Sequence, residues 1–161
     1  MTLIGGDVSS EFSIFELFVK MLRKLAGSGR RDFVFVLGNH ELWDFPGLSV
    51  DEIVDKYRTV LKENGMYLLH NDLFYRNESD DMGIIPYDEL IQSDNQAILE
   101  KLRCTRLVIL GGLGFSGYNE EFNANDGVYR ATVDRNTEIQ ESKKFEQLYD
   151  KLTDVLAKKH T

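Results

Sequence analysis

Short runs of consecutive apolar residues alternate along this chain with longer segments in which apolar residues recur every three or four positions. The clearest run is Phe33-Val34-Phe35-Val36-Leu37, which has no polar interruption and is rich in aromatic and β-branched residues. Such a run predicts a short strand that is buried on both faces. Further strands are predicted from the apolar runs at 3–4, 66–69, 73–75 and 107–110.

The segments between these runs have the apolar spacing of amphipathic helices. The helix predicted over residues 12–25 lies between the strands at 3–4 and 33–37, so these elements form a β-α-β unit. The two strands of such a unit are parallel, and the residues that follow them emerge at the same edge of the sheet. We therefore predict an α/β fold with a mixed, largely parallel sheet flanked by helices. The length predicts a single domain over residues 1–161.

The composition excludes several classes of partner. A formal net charge of −8 and a pI near 4.9 argue against a surface for nucleic acid or anionic membranes, because such surfaces need clustered Lys and Arg. No apolar run is long enough to span a membrane, and no signal peptide is visible. A single cysteine, Cys104, cannot form an internal disulfide, so we expect a cytoplasmic protein. A small phosphorylated substrate held by metal ions remains compatible with this charge.

Polar residues follow the first two predicted strands directly. Asp7 comes after Gly5-Gly6, and Asn39, His40 and Glu41 come after Gly38. A carboxylate can bridge two divalent cations, and an amide oxygen is a neutral hard ligand, so Asp7 and Asn39 are candidate metal ligands. An imidazole beside such ions can protonate a leaving oxygen, which makes His40 the candidate catalytic residue.

Each of these residues also has a plainer interpretation. An Asp at the end of a strand often caps the next helix, and His40 could simply point into solvent. For Glu41 we favour a role in orienting its neighbours or capping a turn. The apolar residues that follow, Trp43 and Phe45, are compatible with a pocket wall or with a plug over the sheet edge.

The pair Gly6-Asp7 followed by the tetrad Gly38-Asn39-His40-Glu41, each closing a strand, resembles the calcineurin-like metallophosphoesterases. The resemblance extends less sharply through Gly111-Gly112 and the Asn-rich loop behind it. It implies part of a metallophosphoesterase α/β sandwich. It also implies hydrolysis of a phosphomonoester or phosphodiester at a dinuclear site of manganese, iron or zinc.

Residue by residue, Asp7 matches the family's bridging Asp, Asn39 matches its Asn ligand, and His40 matches its catalytic His. The family's opening Asp-x-His pair and its closing His and Gly-His-x-His motif have no counterpart in this sequence. One carboxylate and one amide are too few for two ions. We therefore expect an incomplete domain, a central fragment with little activity alone and a partial metal site. The alternative is a non-catalytic, degenerate or regulatory module of the same fold.

Incomplete sheets expose strand edges, so we also expect a homo-oligomer that forms through those edges. No nucleotide cofactor is predicted. The segment 112–117 matches the dinucleotide fingerprint by letter, but the residues after it lack the helical period that the motif requires. His70 is interpreted as a turn residue and His160 as a cation at a helix C-terminus, and neither is predicted to bind metal.

Overall fold

The computed structural model describes residues 1–27, 32–114 and 133–157, which contain six strands, five α-helices and one 3₁₀ turn. In chain order these elements are β1 (Thr2–Gly5), α1 (Phe12–Ala26), β2 (Phe33–Val36), the 3₁₀ turn (His40–Leu42), α2 (Val50–Glu63), β3 (Tyr67–Leu68), β4 (Asp72–Asn77), β5 (Met82–Ile85), α3 (Tyr87–Gln92), α4 (Asn95–Lys101), β6 (Thr105–Gly111) and α5 (Arg135–Ala157). The predicted α/β class is confirmed.

The first three strands form a parallel sheet, which we call sheet A, in the order β1-β2-β3. Gly5 lies opposite Val36, and Phe35 lies opposite Leu68, so the three carboxyl ends meet at one edge. The central strand β2 is almost entirely buried, as its uninterrupted apolar run predicts. The predicted β-α-β unit is therefore present, and the residues after each strand emerge together.

The prediction of one mixed, largely parallel sheet is wrong. The last three strands form a separate antiparallel sheet, sheet B, in the order β5-β4-β6. The division occurs between β3 and β4, where Asn71 adopts the left-handed conformation with φ of 55°. Asn tolerates this conformation better than most residues, and there the chain leaves sheet A and starts a new sheet.

The two sheets pack face to face. Val34 of β2 and Phe74 of β4 belong to one buried cluster between the sheets, together with Leu69. Alternate residues point to the opposite faces, since side chains alternate along a strand. Phe35 thus packs under α1 and α2, and Leu73 packs under the helices on the far side of sheet B. The layers run helices, sheet A, sheet B, helices.

An ion pair also joins the two sheets. The guanidinium of Arg76 on β4 contacts the carboxylate of Asp32, which directly precedes β2. Both side chains are largely buried. Removing one partner of such a pair is costly, because it leaves the other charge buried and uncompensated.

One face of α1 is exposed although it is apolar. Ile14, Leu17, Met21 and Leu25 follow helical spacing on this face, and Leu3 of β1 is exposed as well. Among the described strands, β1 pairs with β2 alone, so its other edge is open. We call the exposed apolar surface formed by Leu3, Ile14, Leu17, Met21 and Leu25 the α1 stripe. None of the described helices combines the length and apolar character needed to cross a bilayer.

One predicted helix is divided in the structure, and several predicted features lie outside the described residues. The helix predicted over 86–102 is interrupted after Gln92, and Asp94 begins α4 by accepting a hydrogen bond from the amide of Ala97 at 2.8 Å. His160, most of the 112–117 motif and the Asn-rich loop lie outside the described residues.

Candidate functional site

The loops that follow β1 and β2 touch through their backbones. Gly6 has a φ of 81°, and a Cβ atom there would overlap the backbone nitrogen of Gly38. A Cβ atom on Gly38 would in turn overlap Oδ1 of Asp7. The two glycines therefore permit a contact that side chains would block, and this contact brings the polar residues of both loops together.

The carboxylate of Glu41 holds the two loops against each other from inside. Glu41 is fully buried. Its Oε2 atom accepts hydrogen bonds from the amides of Asp7 at 2.9 Å and Gly38 at 2.7 Å. Its Oε1 atom accepts from the amides of Val8 at 2.6 Å and Ser9 at 3.2 Å. Four backbone donors converge on one side chain, so Glu41 positions the loops, as the sequence analysis favoured.

Asp7 is exposed and has a left-handed backbone conformation. Its φ of 53° lies in the left-handed region, which non-glycine residues seldom occupy outside turns and functional sites. Its Oδ1 atom accepts a hydrogen bond from the amide of His40 at 3.1 Å. Asp7 does not cap α1, because the amide of Phe12 binds the carboxylate of Asp44 instead. The helix-cap interpretation of Asp7 is therefore wrong.

Asn39 and His40 lie where β2 gives way to the 3₁₀ turn. The imidazole of His40 is half-buried and stacks on the indole of Trp43, with ring centroids 3.9 Å apart. This contact answers two questions that the sequence left open. His40 does not simply extend into solvent, and Trp43 forms a wall beside it. Phe45, by contrast, packs edge-on against Phe12 and serves as the plug.

The donors at this edge suit a hard divalent cation. Asp7 offers a carboxylate and Asn39 an amide, both oxygen ligands of the kind that manganese accepts. Glu41 is not available as a ligand, since both of its oxygens are engaged by backbone amides. These two loops therefore supply one carboxylate and one amide side chain. That set fits part of the coordination shell of an ion and leaves the rest to other donors.

A second polar cluster lies behind β3, beside a surface pocket of about 340 Å³. His70 follows β3 by two residues, and its Nε2 atom lies 3.1 Å from Oε2 of Glu141 on α5. The side-chain amide of Asn71 donates to the same oxygen at 2.8 Å. The ammonium of Lys144 donates to the other oxygen, Oε1, at 2.6 Å. Both His70 and Glu141 are buried.

Hydrogen bonds lower the pKa of Glu141 by more than burial raises it. Burial alone would raise the pKa of this carboxyl group, but the hydrogen bonds from His70 and Lys144 lower it to about 2. Glu141 is therefore ionised near neutral pH. Nearby, burial dominates at Asp72 and raises its pKa, although the amide of His70 and the guanidinium of Arg58 oppose that shift.

Sequence reasoning missed this second cluster. The sequence predicts a turn residue at His70, and Glu141 lies 71 positions further along the chain. One signal was available: Glu141 precedes Phe145 by four residues and Leu148 by seven, so it falls on the apolar face of α5. A carboxylate on an inward face requires a buried partner, and His70 and Lys144 are among its partners.

Comparison with known proteins identifies no relative: no protein-family model, curated protein or solved structure matches this chain. The structure by itself supports the class, an α/β protein with one parallel and one antiparallel sheet.

Proposed function

We propose that the edge formed by the β1 and β2 loops is a site for metal-dependent hydrolysis of a phosphoester. The observation that carries this proposal is the contact between the loops, in which Oδ1 of Asp7 accepts from the amide of His40. It places a candidate bridging carboxylate, a candidate amide ligand and an imidazole at one point of the sheet. The motif resemblance to the calcineurin-like metallophosphoesterases supports the same assignment.

In this proposal Asp7 and Asn39 are metal ligands. When divalent ions are bound there, they polarise a phosphoryl oxygen and activate the attacking water. Manganese is the ion to test first, since both donors are oxygens.

His40 acts as the acid or charge stabiliser. Stacking on Trp43 holds its ring, and the backbone amide of the same residue is bound to Asp7. A ring fixed in this way can donate a proton to the leaving oxygen without the entropic cost of ordering it first. The acidic surface of the chain favours a small phosphorylated substrate over nucleic acid.

Among the described residues the donor set at this edge is incomplete, and this has a measurable consequence. Each ion of a dinuclear site needs about four or more ligands. Asp7 and Asn39 do not supply them, so we expect weak manganese binding and slow turnover from this chain alone. The alternative, a non-catalytic module of the same fold, is favoured by Glu41, whose hydrogen bonds with the loop amides account for the loop geometry without any ion. We also propose a cytoplasmic location, which the single cysteine, Cys104, fits.

Hydrolysis of a chromogenic phosphodiester and monoester with manganese tests the proposal. We expect slow metal-dependent turnover that is lost in His40→Ala and in Asp7→Asn, while the folding of both variants is unchanged by circular dichroism. The matched control is His70→Gln, outside the proposed site. An absence of metal-dependent turnover would favour the non-catalytic module. Robust turnover would contradict the incomplete donor set.

A further inference from the structure

We propose that Asp51, His70 and Glu141 form a second cation site, which binds a divalent transition metal such as Zn²⁺ in exchange for the ammonium group of Lys144. The site lies in the pocket behind β3. None of these residues belongs to the loops after β1 and β2, so the inference does not rest on the proposed function.

The geometry is close to what a metal ion requires. One ligand atom from each of the three side chains lies within 4.8 Å of the other two. Ligand atoms of a tetrahedral zinc site are about 3.4 Å apart, because each lies about 2.1 Å from the ion. The Nε2 atom of His70 and Oε2 of Glu141 are already 3.1 Å apart. Only Asp51, which is exposed at the start of α2, has to approach, by at most about 1.4 Å.

The pocket has an excess of negative charge. Four aspartates and two cationic side chains, Arg58 and Lys144, line it. Arg58 is already paired with Asp55 and Asp72. The pocket therefore attracts cations and repels anions such as phosphate.

Lys144 marks the place where a cation is stabilised. Its ammonium lies 2.6 Å from Oε1 of Glu141, and the negative charge of Asp51 also acts on it. A tethered ammonium thus already lies against the carboxylate of Glu141 and within the electrostatic influence of Asp51. Its side chain is about one-third exposed, so it can rotate into solvent when another cation arrives. A divalent ion neutralises both carboxylates, whereas the single charge of Lys144 does not.

His70 is held in a position suited to coordination. Its backbone amide donates to Oδ2 of Asp72 at 3.1 Å, and its ring is buried at the carboxyl edge of sheet A. Coordination through Nε2 releases to solvent the proton that this atom donates to Glu141, and it leaves the tautomer with its proton on Nδ1. Asn71 donates to Glu141 and would keep that carboxylate oriented after Lys144 leaves. One imidazole and two carboxylates favour zinc, manganese or iron over calcium or magnesium.

The test is a zinc titration by calorimetry, with Co²⁺ absorption as a spectroscopic probe, carried out in the Asp7→Asn background. That background removes the proposed ligand at the other site, so failure here and failure of the proposed function are distinguishable. We expect Asp51→Asn to weaken zinc binding at least about tenfold. Asp55→Asn is the matched control, because Asp55 is exposed on the same helix and lines the same pocket but lies outside the triad. It removes a pocket charge but no ligand, so it should weaken the affinity by about twofold or less, clearly less than Asp51→Asn.

Lys144→Met should change the zinc affinity in the opposite direction. The metal no longer has to displace an ammonium, so we expect binding to tighten about threefold or more. A merely structural His70–Glu141 pair does not predict such a gain. His70→Gln keeps a donor for Glu141 and removes the imidazole, so it should fold and should lose the cobalt absorption. The proposal is overturned by equal affinities in Asp51→Asn and Asp55→Asn, by no gain in Lys144→Met, or by no binding at about 1 mM zinc.

Discussion

Two polar clusters occupy the carboxyl edge of the same parallel sheet, and they are built in different ways. The Asp7–His40 cluster is organised by backbone: four amides converge on Glu41, and two glycines let the loops touch. The His70–Glu141 cluster is organised by side chains, with an imidazole, an amide and an ammonium around one carboxylate.

This difference predicts how rigid each cluster is. Backbone donors are fixed by the fold, so the Asp7–His40 loops keep their geometry whether or not a ligand is bound. The side chain of Lys144 can leave Glu141 at little backbone cost, so the second cluster can exchange one cation for another. We infer that the first cluster is pre-organised and the second is adaptable.

The largest loss of stability is expected for Glu41→Gln, at the cluster organised by backbone. A glutamine side chain presents an NH₂ group to amides that themselves donate, so two of the four part-buried donors lose their acceptor. We expect a loss of about 3 kcal/mol or more in the free energy of unfolding, measured by urea denaturation.

Glu52→Gln is the control for this variant. Glu52 also accepts from a backbone amide, that of Ser49 at 2.8 Å, but it is exposed at the start of α2. Its loss should cost about 1 kcal/mol or less. Equal losses in the two variants would contradict the special role of the buried carboxylate.

Gly38→Ala tests the close approach of the loops. The added Cβ overlaps Asp7, so the loops must separate, and we expect a loss of about 2 kcal/mol. The matched variant is Gly5→Ala, because a Cβ atom at Gly5 meets nothing within 4 Å. Thermal denaturation should leave Gly5→Ala near wild type. A tolerated Gly38→Ala would show that the loop contact is not required.

Glu141→Gln is the corresponding substitution at the second cluster. The substitution removes the charge that Lys144 and His70 face, but Lys144 can turn to solvent. We therefore expect a smaller loss, about 1–2 kcal/mol in urea denaturation. Glu146→Gln, an exposed change on the same helix, is the control. A loss as large as that of Glu41→Gln would mean that the second cluster is as rigid as the first.

The smallest expected effect on stability is at the α1 stripe. Replacing Leu17 and Met21 with Glu should change the free energy of unfolding by about 0.5 kcal/mol or less, since both side chains are exposed. If copies associate through this face and the open edge of β1, light scattering at high concentration should show an oligomer for wild type and a smaller species for the variant. A monomeric wild type would contradict the expected homo-oligomer.

Local patterns predicted the parallel half of the fold and the first cluster. The apolar run 33–37 defines a buried strand, and parallel strands bring Asp7 and His40 to one edge without any further information. Neither the second sheet nor the second cluster follows from local patterns. The run at 73–75 fits a strand in either sheet, and the turn at Asn71 decides between them. Glu141 reaches His70 only through the packing of α5, which no short motif encodes.

The most direct test of the central claim locates bound manganese by its paramagnetic broadening of backbone amide signals in NMR spectra. We predict weak binding, with a Kd of about 10⁻⁴–10⁻³ M, that broadens the amides of Val8 and His40 first. In Asp7→Asn this broadening should disappear, while any broadening around His70 persists. Broadening at Val8 and His40 that survives Asp7→Asn, or manganese that never reaches these amides, would contradict a metal site at the edge of sheet A.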